Sequence, residues 1–271
     1  MVTGIYQHFS SIATRYNDLR TTDLDVVEFL AEGLRVGTAV RVADVGCGSG
    51  RYDIELLREL GDRLDLICVD FNFEMLHALH EELQEQDLRG YHVVRASARE
   101  LPFLERELDG VFTLNAIHHF DAPGFLNECA RVLQPNGQLF VYTRTRSQNR
   151  RNIWGRHFPC FAHKERRLFE SEELERLIED TPGLLLEAVE DFKYERLASL
   201  DWLLEQARNH HYSTFALYEA AEFEAAMKGF HDNILRNFHD PMQVTWQDEN
   251  TLLVVRRDRG RGRGTFPMDR W

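Results

Sequence analysis

Asp44, Gly46, Gly48 and Gly50 stand at alternate positions in Val42-Ala-Asp-Val-Gly-Cys-Gly-Ser-Gly50. Glycines at a strand-to-helix junction let the backbone turn tightly and approach a ligand. The helix start behind them offers free N–H groups and the positive end of a dipole. Three alternating glycines exceed what a plain turn requires. The dinucleotide pattern GxGxxG would place its third glycine where Arg51 stands, and the loop has no lysine for a phosphate-binding P-loop. Asp70 closes the next apolar run, 20 residues past Gly50, where a carboxylate is placed to accept both hydroxyls of a ribose.

Two further groups could move protons or hold a substrate. His118 and His119 follow a later apolar run, at the strand end where ligands gather in open α/β sheets. They are either a general base or packing groups under the sheet rim. His210-His-Tyr-Ser-Thr-Phe215 brings His211, Tyr212 and Ser213 together, either as pocket lining or as a helix end and turn. Arg144 to Arg167 holds eight basic residues against Glu165 alone, interleaved with Trp154, Phe158 and Phe161. Internal salt bridges, an anionic small molecule at Arg144 and Arg146, and nucleic acid are its three readings, in that order.

These residues need a scaffold of alternating strands and helices. Val40–Val45, Leu64–Val69, Tyr91–Val94, Gly110–Leu114 and Gln138–Tyr142 read as strands, and helical spacing separates several of them. Such alternation means βαβ units and a parallel sheet covered on both faces. Residues 1–36 read as two helices broken at Asn17 and Asp18, with Thr21-Thr-Asp23 as the cap region of the second. A helix near Ser171–Glu179, a strand near Leu184–Val189, a helical stretch over about Leu197–Asn237 and a final strand Thr251–Arg256 follow. The helical block between the last two strands reads as a cap over one sheet end.

At this point the sequence resembles the class I S-adenosylmethionine-dependent methyltransferases, in their broad small-molecule group. Val42–Gly50 resembles the first motif of that family, Cys68-Val-Asp-Phe71 the acidic end of the second strand, and Ala96–Phe103 the adenine-side motif. Asp109–His119 resembles the fourth strand with its loop, and Arg131–Leu139 the turn into the fifth. The resemblance implies an α/β Rossmann-like fold, a mostly parallel seven-stranded sheet whose last strand is antiparallel and inserted beside the fifth, with a helical cap. It implies S-adenosylmethionine as cofactor and S-adenosylhomocysteine as product. Asp44 and the loop Gly46, Cys47, Gly48 and Gly50 would face the methionine moiety. Asp70 would hold the ribose, Phe71 would pack on adenine, Ser97 and Ala98 would flank its edge, and Asn115 would offer backbone near the sulfonium. The family usually has Asp where Ser97 stands, so adenine would meet a hydroxyl or a carbonyl instead. Phe9–Arg20 resembles a lid helix, from which Tyr16 and Arg20 would reach the cofactor carboxylate or close over the substrate. A plain surface helix is the alternative.

On this reading the 271 residues form one methyltransferase domain: lid helices 1–36, cofactor core 37–143, substrate-side insertions and cap 144–250, last strand 251–258 and flexible basic tail 259–271. Hydrophobic residues make up 43% of the chain, which excludes wholesale disorder. A net charge of −13 argues against nucleic acid as partner. No apolar run approaches the ~18 residues of a membrane helix, the N-terminus lacks the pattern of a secretory signal, and Cys47, Cys68, Cys129 and Cys160 have neither disulfide nor zinc spacing. The expectation is a cytoplasmic enzyme without a metal, acting on a small acceptor, with an anionic one among the readings. A tRNA- or protein-modifying methyltransferase and a cofactor-binding regulatory protein are the alternatives.

Overall fold

Runs such as Val40–Val45 have no polar face, which suits strands covered on both sides. In the computed structural model, which describes residues 2–34 and 39–259, these runs form one seven-stranded sheet: β1 Val40–Val45, β2 Leu64–Asp70, β3 Tyr91–Arg95, β4 Leu108–Leu114, β5 Leu133–Thr143, β6 Leu184–Ala198 and β7 Val244–Arg257. The order is β3-β2-β1-β4-β5-β7-β6. Strands β1 to β5 pair in parallel, while β7 runs antiparallel to both β5 and β6. This is the class I methyltransferase arrangement, with the last strand inserted beside the fifth as expected.

The helices are α1 Val2–Ile12, α2 Tyr16–Leu19, α3 Leu24–Leu34, α4 Arg51–Leu60, α5 Phe73–Glu85, α6 Ala122–Val132, α7 Arg146–Arg151, α8 Ile153–His157, α9 Phe161–Lys164, α10 Ser171–Glu179, α11 Leu200–Arg208 and α12 Ala220–Asn237. One face of the sheet packs with Leu30, Leu56, Leu57 and Leu79 from α3, α4 and α5. The other packs with Phe125, Leu126, Leu174 and Ile178 from α6 and α10. A third core lies beyond the sheet, where Trp154, Phe158, Phe161, Phe215 and Phe230 join α8, α9, α11 and α12. Trp154 stacks on Phe230 at 5.0 Å, and Phe158 meets Phe215 edge-on at the same distance.

Several boundaries differ from the sequence expectation. Strand β6 runs on to Ala198 and β7 begins at Val244, so the last two strands form a long antiparallel ladder in place of two short segments. The charged residues Glu187, Glu190, Asp191, Lys193 and Glu195 conceal β6, because an edge strand alternates half-buried with exposed positions. The helical stretch accordingly starts at Leu200, and 209–219 interrupts it. At the N-terminus, α2 runs through Asn17 and Asp18 to Leu19, so the break falls at 20–23. The tail 260–271 lies outside the described residues. Among the described residues, no helix is long and apolar enough to cross a membrane, and no cluster of three metal-ligating groups occurs.

Because the third core is made of interlocked aromatic rings, removing one leaves a cavity that its rigid neighbours cannot fill. Phe230→Ala is expected to destabilise the protein by about 3–5 kcal/mol, read from urea unfolding.

Candidate active site

The glycine loop leaves β1 at Val45 and enters α4 at Arg51. Gly46, Gly48 and Gly50 all have left-handed backbone, with φ of 81°, 57° and 76°. The three differ in what they face. A Cβ on Gly46 would sit 2.6 Å from the Ala116 Cβ, and one on Gly50 would sit 1.8 Å from Leu79 Cδ1. A Cβ on Gly48 would meet nothing within 4 Å. Gly46 and Gly50 therefore seat the loop on the sheet and on α5, while Gly48 turns its backbone to open space, as a ligand cradle requires.

Asp70, at the end of β2, braces this loop. Its Oδ2 accepts the Gly48 N–H at 2.9 Å and its Oδ1 accepts the Asn72 N–H at 2.7 Å. Burial raises its pKa, and these two N–H donors oppose the rise. Each oxygen keeps a second lone pair for a ligand hydroxyl. Asn72 caps α5 by accepting the Met75 N–H at 3.1 Å, which fixes the turn after Asp70.

A chamber of about 550 Å³ opens above the loop. Asp44, Gly46, Cys47, Gly48, Asp70, Phe71, Ser97, Ala98, Asn115 and Tyr16 all line it, so the structure brings together most of the expected cofactor set. Gly50 supports the loop from behind as the N-cap of α4. Phe71 is 54% exposed, with Tyr6 edge-on at 6.1 Å and the Arg95 guanidinium 5.5 Å from its ring. It offers an apolar platform. Ser97 Oγ accepts the Arg99 N–H at 3.2 Å and keeps its own proton for donation. Asn115 has φ of 58° and donates its N–H to Tyr142 O at 2.7 Å. Asp44 is buried, and its Oδ1 has no hydrogen-bond partner. A buried carboxylate without a cation, an open glycine cradle and a strand-end Asp fit a nucleoside with a positively charged amino-acid end, as S-adenosylmethionine is.

A second chamber, of about 470 Å³, lies beside the first. Phe9, Tyr16, Arg51, Asn115, His118 and His119 line both, so the two meet at this common wall. Its other sides are Trp154, Trp202, Trp246 and Tyr212, over a polar floor. There Asp23 accepts from the Tyr142 hydroxyl at 2.8 Å and from Arg196. Arg196 Nε lies 3.6 Å from Asp248 Oδ2, and Arg144 Nη2 lies 3.1 Å from Asp248 Oδ1.

Within this chamber the expected substrate residues have mixed standing. Tyr212 lines it between two guanidiniums, Arg20 at 4.2 Å and Arg144 at 5.5 Å from its ring. Arg20 lines this chamber, not the cofactor side, and donates to the His211 carbonyl at 3.2 Å. Arg144 is buried, paired with Asp248, and donates to the Tyr212 hydroxyl at 3.0 Å. Its charge is neutralised inside the protein. His211 is a wall residue, its Nδ1 3.0 Å from Gln206 O and its ring 5.0 Å from Trp154. Ser213 Oγ accepts from Arg167 Nη2 at 3.0 Å. Arg146 is drawn to Glu173 at 2.6 Å, Arg150 to Glu170 at 2.9 Å and Lys164 to Glu222 at 2.7 Å. The basic stretch is thus largely tied up in internal ion pairs, which the spacing had ranked first.

Arg51, Arg167, Asp23, Arg196, Asp248 and the tryptophans were missed as site residues. One signal was available: Trp246, Asp248 and Asn250 alternate along β7, and all three line the chamber.

His118 and His119 stand in the common wall, ring centroids 4.0 Å apart, with Phe9 edge-on to His119 at 5.2 Å. Burial, helped by the charges of Arg167 and Arg20, pushes His118 down to about 3. His119 is also held well below the usual range by burial and by His118. Both imidazoles are neutral near pH 7 and too weakly basic to serve as efficient general bases. Titrating the imidazole nitrogens by NMR is expected to show His118 neutral down to about pH 5. Its native pKa lies below the unfolded value of 6.5, so its share of stability is complete above that value and falls as pH drops towards 3. His118→Gln should flatten that part of the stability profile.

Residues 43–141 match the family described as methyltransferase domain. The chain is 34% identical over 109 residues to a demethylmenaquinone methyltransferase of Listeria welshimeri, an alignment covering 39% of this chain and 45% of that protein. The chain therefore spans less than half the length of that curated relative. Among solved structures it superposes on the YcgJ protein of Bacillus subtilis with a TM-score of 0.61, at 16% identity, covering 88% of this chain and 100% of the other. It also superposes on geranyl diphosphate C-methyltransferase of Streptomyces coelicolor, solved with S-adenosyl-L-homocysteine, with a TM-score of 0.54 at 16% identity, covering 86% and 75%. These two likenesses show the fold, and the matched model shows that residues 43–141 are a methyltransferase domain, the span that holds the motifs resembling the class I S-adenosylmethionine-dependent methyltransferases.

Proposed function

We propose that the protein transfers a methyl group from S-adenosylmethionine to a small molecule held in the 470 Å³ chamber. The observation that carries this reading is the common wall: a cofactor-shaped chamber and a second chamber meet at Asn115, His118 and His119. On this reading the whole chain acts as one methyltransferase domain, in which segments 1–36 and 144–250 close the second chamber.

Asp70 holds the ribose hydroxyls, Phe71 covers adenine, Ser97 and Ala98 border its edge, and Asp44 with the loop faces the methionine end. When bound, the cofactor supplies a methyl group already activated on a sulfonium, for in-line displacement. The chain's own task is orientation and exclusion of water, and proximity alone is worth roughly 7–11 kcal/mol. Neutral His118 and His119 shape the meeting point and are not required as bases. Trp246, Trp202 and Tyr212 suit an acceptor with a flat apolar body. An anionic group on that acceptor would meet Arg20 and Arg51. Their guanidiniums bond to the carbonyls of His211 and Thr21, whereas Arg144 is already neutralised. A macromolecular acceptor would need a basic face, and the basic stretch is countered by Glu170, Glu173, Glu222 and Glu249.

Incubation with S-adenosylmethionine and a metabolite extract is expected to yield S-adenosylhomocysteine, and a protein that binds cofactor yet forms none would be a binding protein only. Asp70→Ala should weaken S-adenosylhomocysteine binding by about ten- to a hundredfold in calorimetry, since hydrogen bonds to a charged group are worth about 1.5–3 kcal/mol. Unchanged affinity would remove the ribose assignment.

A further inference from the structure

Beneath the glycine loop, two carboxylates lie in contact with no cation between them. Asp44, on β1, is 2% exposed and Asp53, in the first turn of α4, is 0% exposed. Among the described residues, Asp44 Oδ1 and both Asp53 oxygens are buried without a hydrogen bond of good geometry; the Cys68 thiol and the Asp53 N–H lie beside Asp53, and the two carboxyls lie within hydrogen-bonding reach of each other. Ionised carboxylates are acceptors only, so a contact between them requires a proton. The surroundings reinforce this. Asp70 adds negative charge from β2, the Cys47 and Cys68 thiols are held protonated by burial, and Arg51 opposes Asp53 while its guanidinium donates to the Thr21 carbonyl. Burial raises the pKa of both carboxyls; the charge of Asp53 raises that of Asp44 further, whereas hydrogen bonds with Asp44, the Cys68 thiol and its own N–H oppose the rise at Asp53.

The two carboxyls differ in position. Asp44 lines the cofactor chamber, while Asp53 stands behind it under Gly50, whose added Cβ would lie 3.4 Å from Asp53 Oδ2. We propose that Asp44 and Asp53 share one proton in the free protein and release it to solvent when the cofactor's α-ammonium settles beside Asp44. Asp53 is then a positioning residue that makes cofactor affinity depend on pH. The inference rests on the cofactor reading above. An ammonium beside Asp44 favours its ionised form, so the pair passes from one negative charge to two as the positive charge arrives. Affinity therefore rises with pH, by up to about tenfold per pH unit while the free pair holds its proton, and levels off once it is lost.

The test is calorimetry at about pH 6.5 with S-adenosylhomocysteine and with adenosine, which lacks the amino-acid end, in phosphate and in imidazole buffer. For S-adenosylhomocysteine the heats should differ between buffers by the equivalent of about one proton released, and for adenosine they should agree. In Asp53→Asn, an amide donor replaces the second carboxyl and Asp44 is already ionised. Proton release should vanish while adenosine binds as before, which also reports that the variant is folded. Equal S-adenosylhomocysteine heats in both buffers, or undiminished proton release in Asp53→Asn, would overturn the proposal. If neither compound binds, the cofactor reading fails and the proposal fails with it.

Discussion

Asp23, Arg196, Asp248 and Arg144 form a line of alternating charge beneath the second chamber, closed by the hydroxyls of Tyr142 and Tyr212. The four charges come from the residue before α3, from β6, from β7 and from the residue after β5, and Tyr212 comes from the cap. Removing one partner of a buried pair strands the other's charge at a cost of about 3–5 kcal/mol, so such a line tolerates little displacement. It ties the N-terminal helices and the cap to the last three strands. The second chamber owes its floor to this constraint.

The cofactor chamber is organised differently. There the backbone does the positioning, because Gly46 and Gly50 sit against side chains that leave no room for a Cβ. Asp70 accepts the Gly48 N–H, so this carboxylate and the glycine turn hold each other in place. The charged residues that are buried here, Asp44 and Asp53, have no cation at contact distance among the described residues, in contrast to the paired charges of the second chamber's floor. The second chamber keeps its charges paired within the protein, and the first is left with buried negative charge.

The overall charge of −13 concealed how the charges are arranged. The cluster from Arg144 to Arg167 allowed an anion site as its second reading, because its neighbours in the chain are basic. Some of its partners, such as Glu170 and Glu173, follow closely in the chain, but Asp248, Glu249 and Glu222 are reached only when β7 and α12 fold back upon it. Its aromatic residues, Trp154, Phe158 and Phe161, interleave with those charges in the chain but face the third core in the folded protein.

What the chain determined by itself was local. The Gly46–Gly50 loop, Asp70 at a fixed distance beyond it and the alternation of apolar runs specify a βαβ sheet and a nucleoside-like ligand, because turn geometry and strand burial act over a few residues. Resemblance supplied the seventh strand's direction. The second chamber was decided by tertiary structure alone. Arg144 and His211 point to it in sequence but are absorbed into pairing and packing, while Arg51, Arg196 and Asp248 reach it from elements whose meeting depends on sheet order. A side chain's partners across a sheet follow from register and closure, which no local pattern encodes.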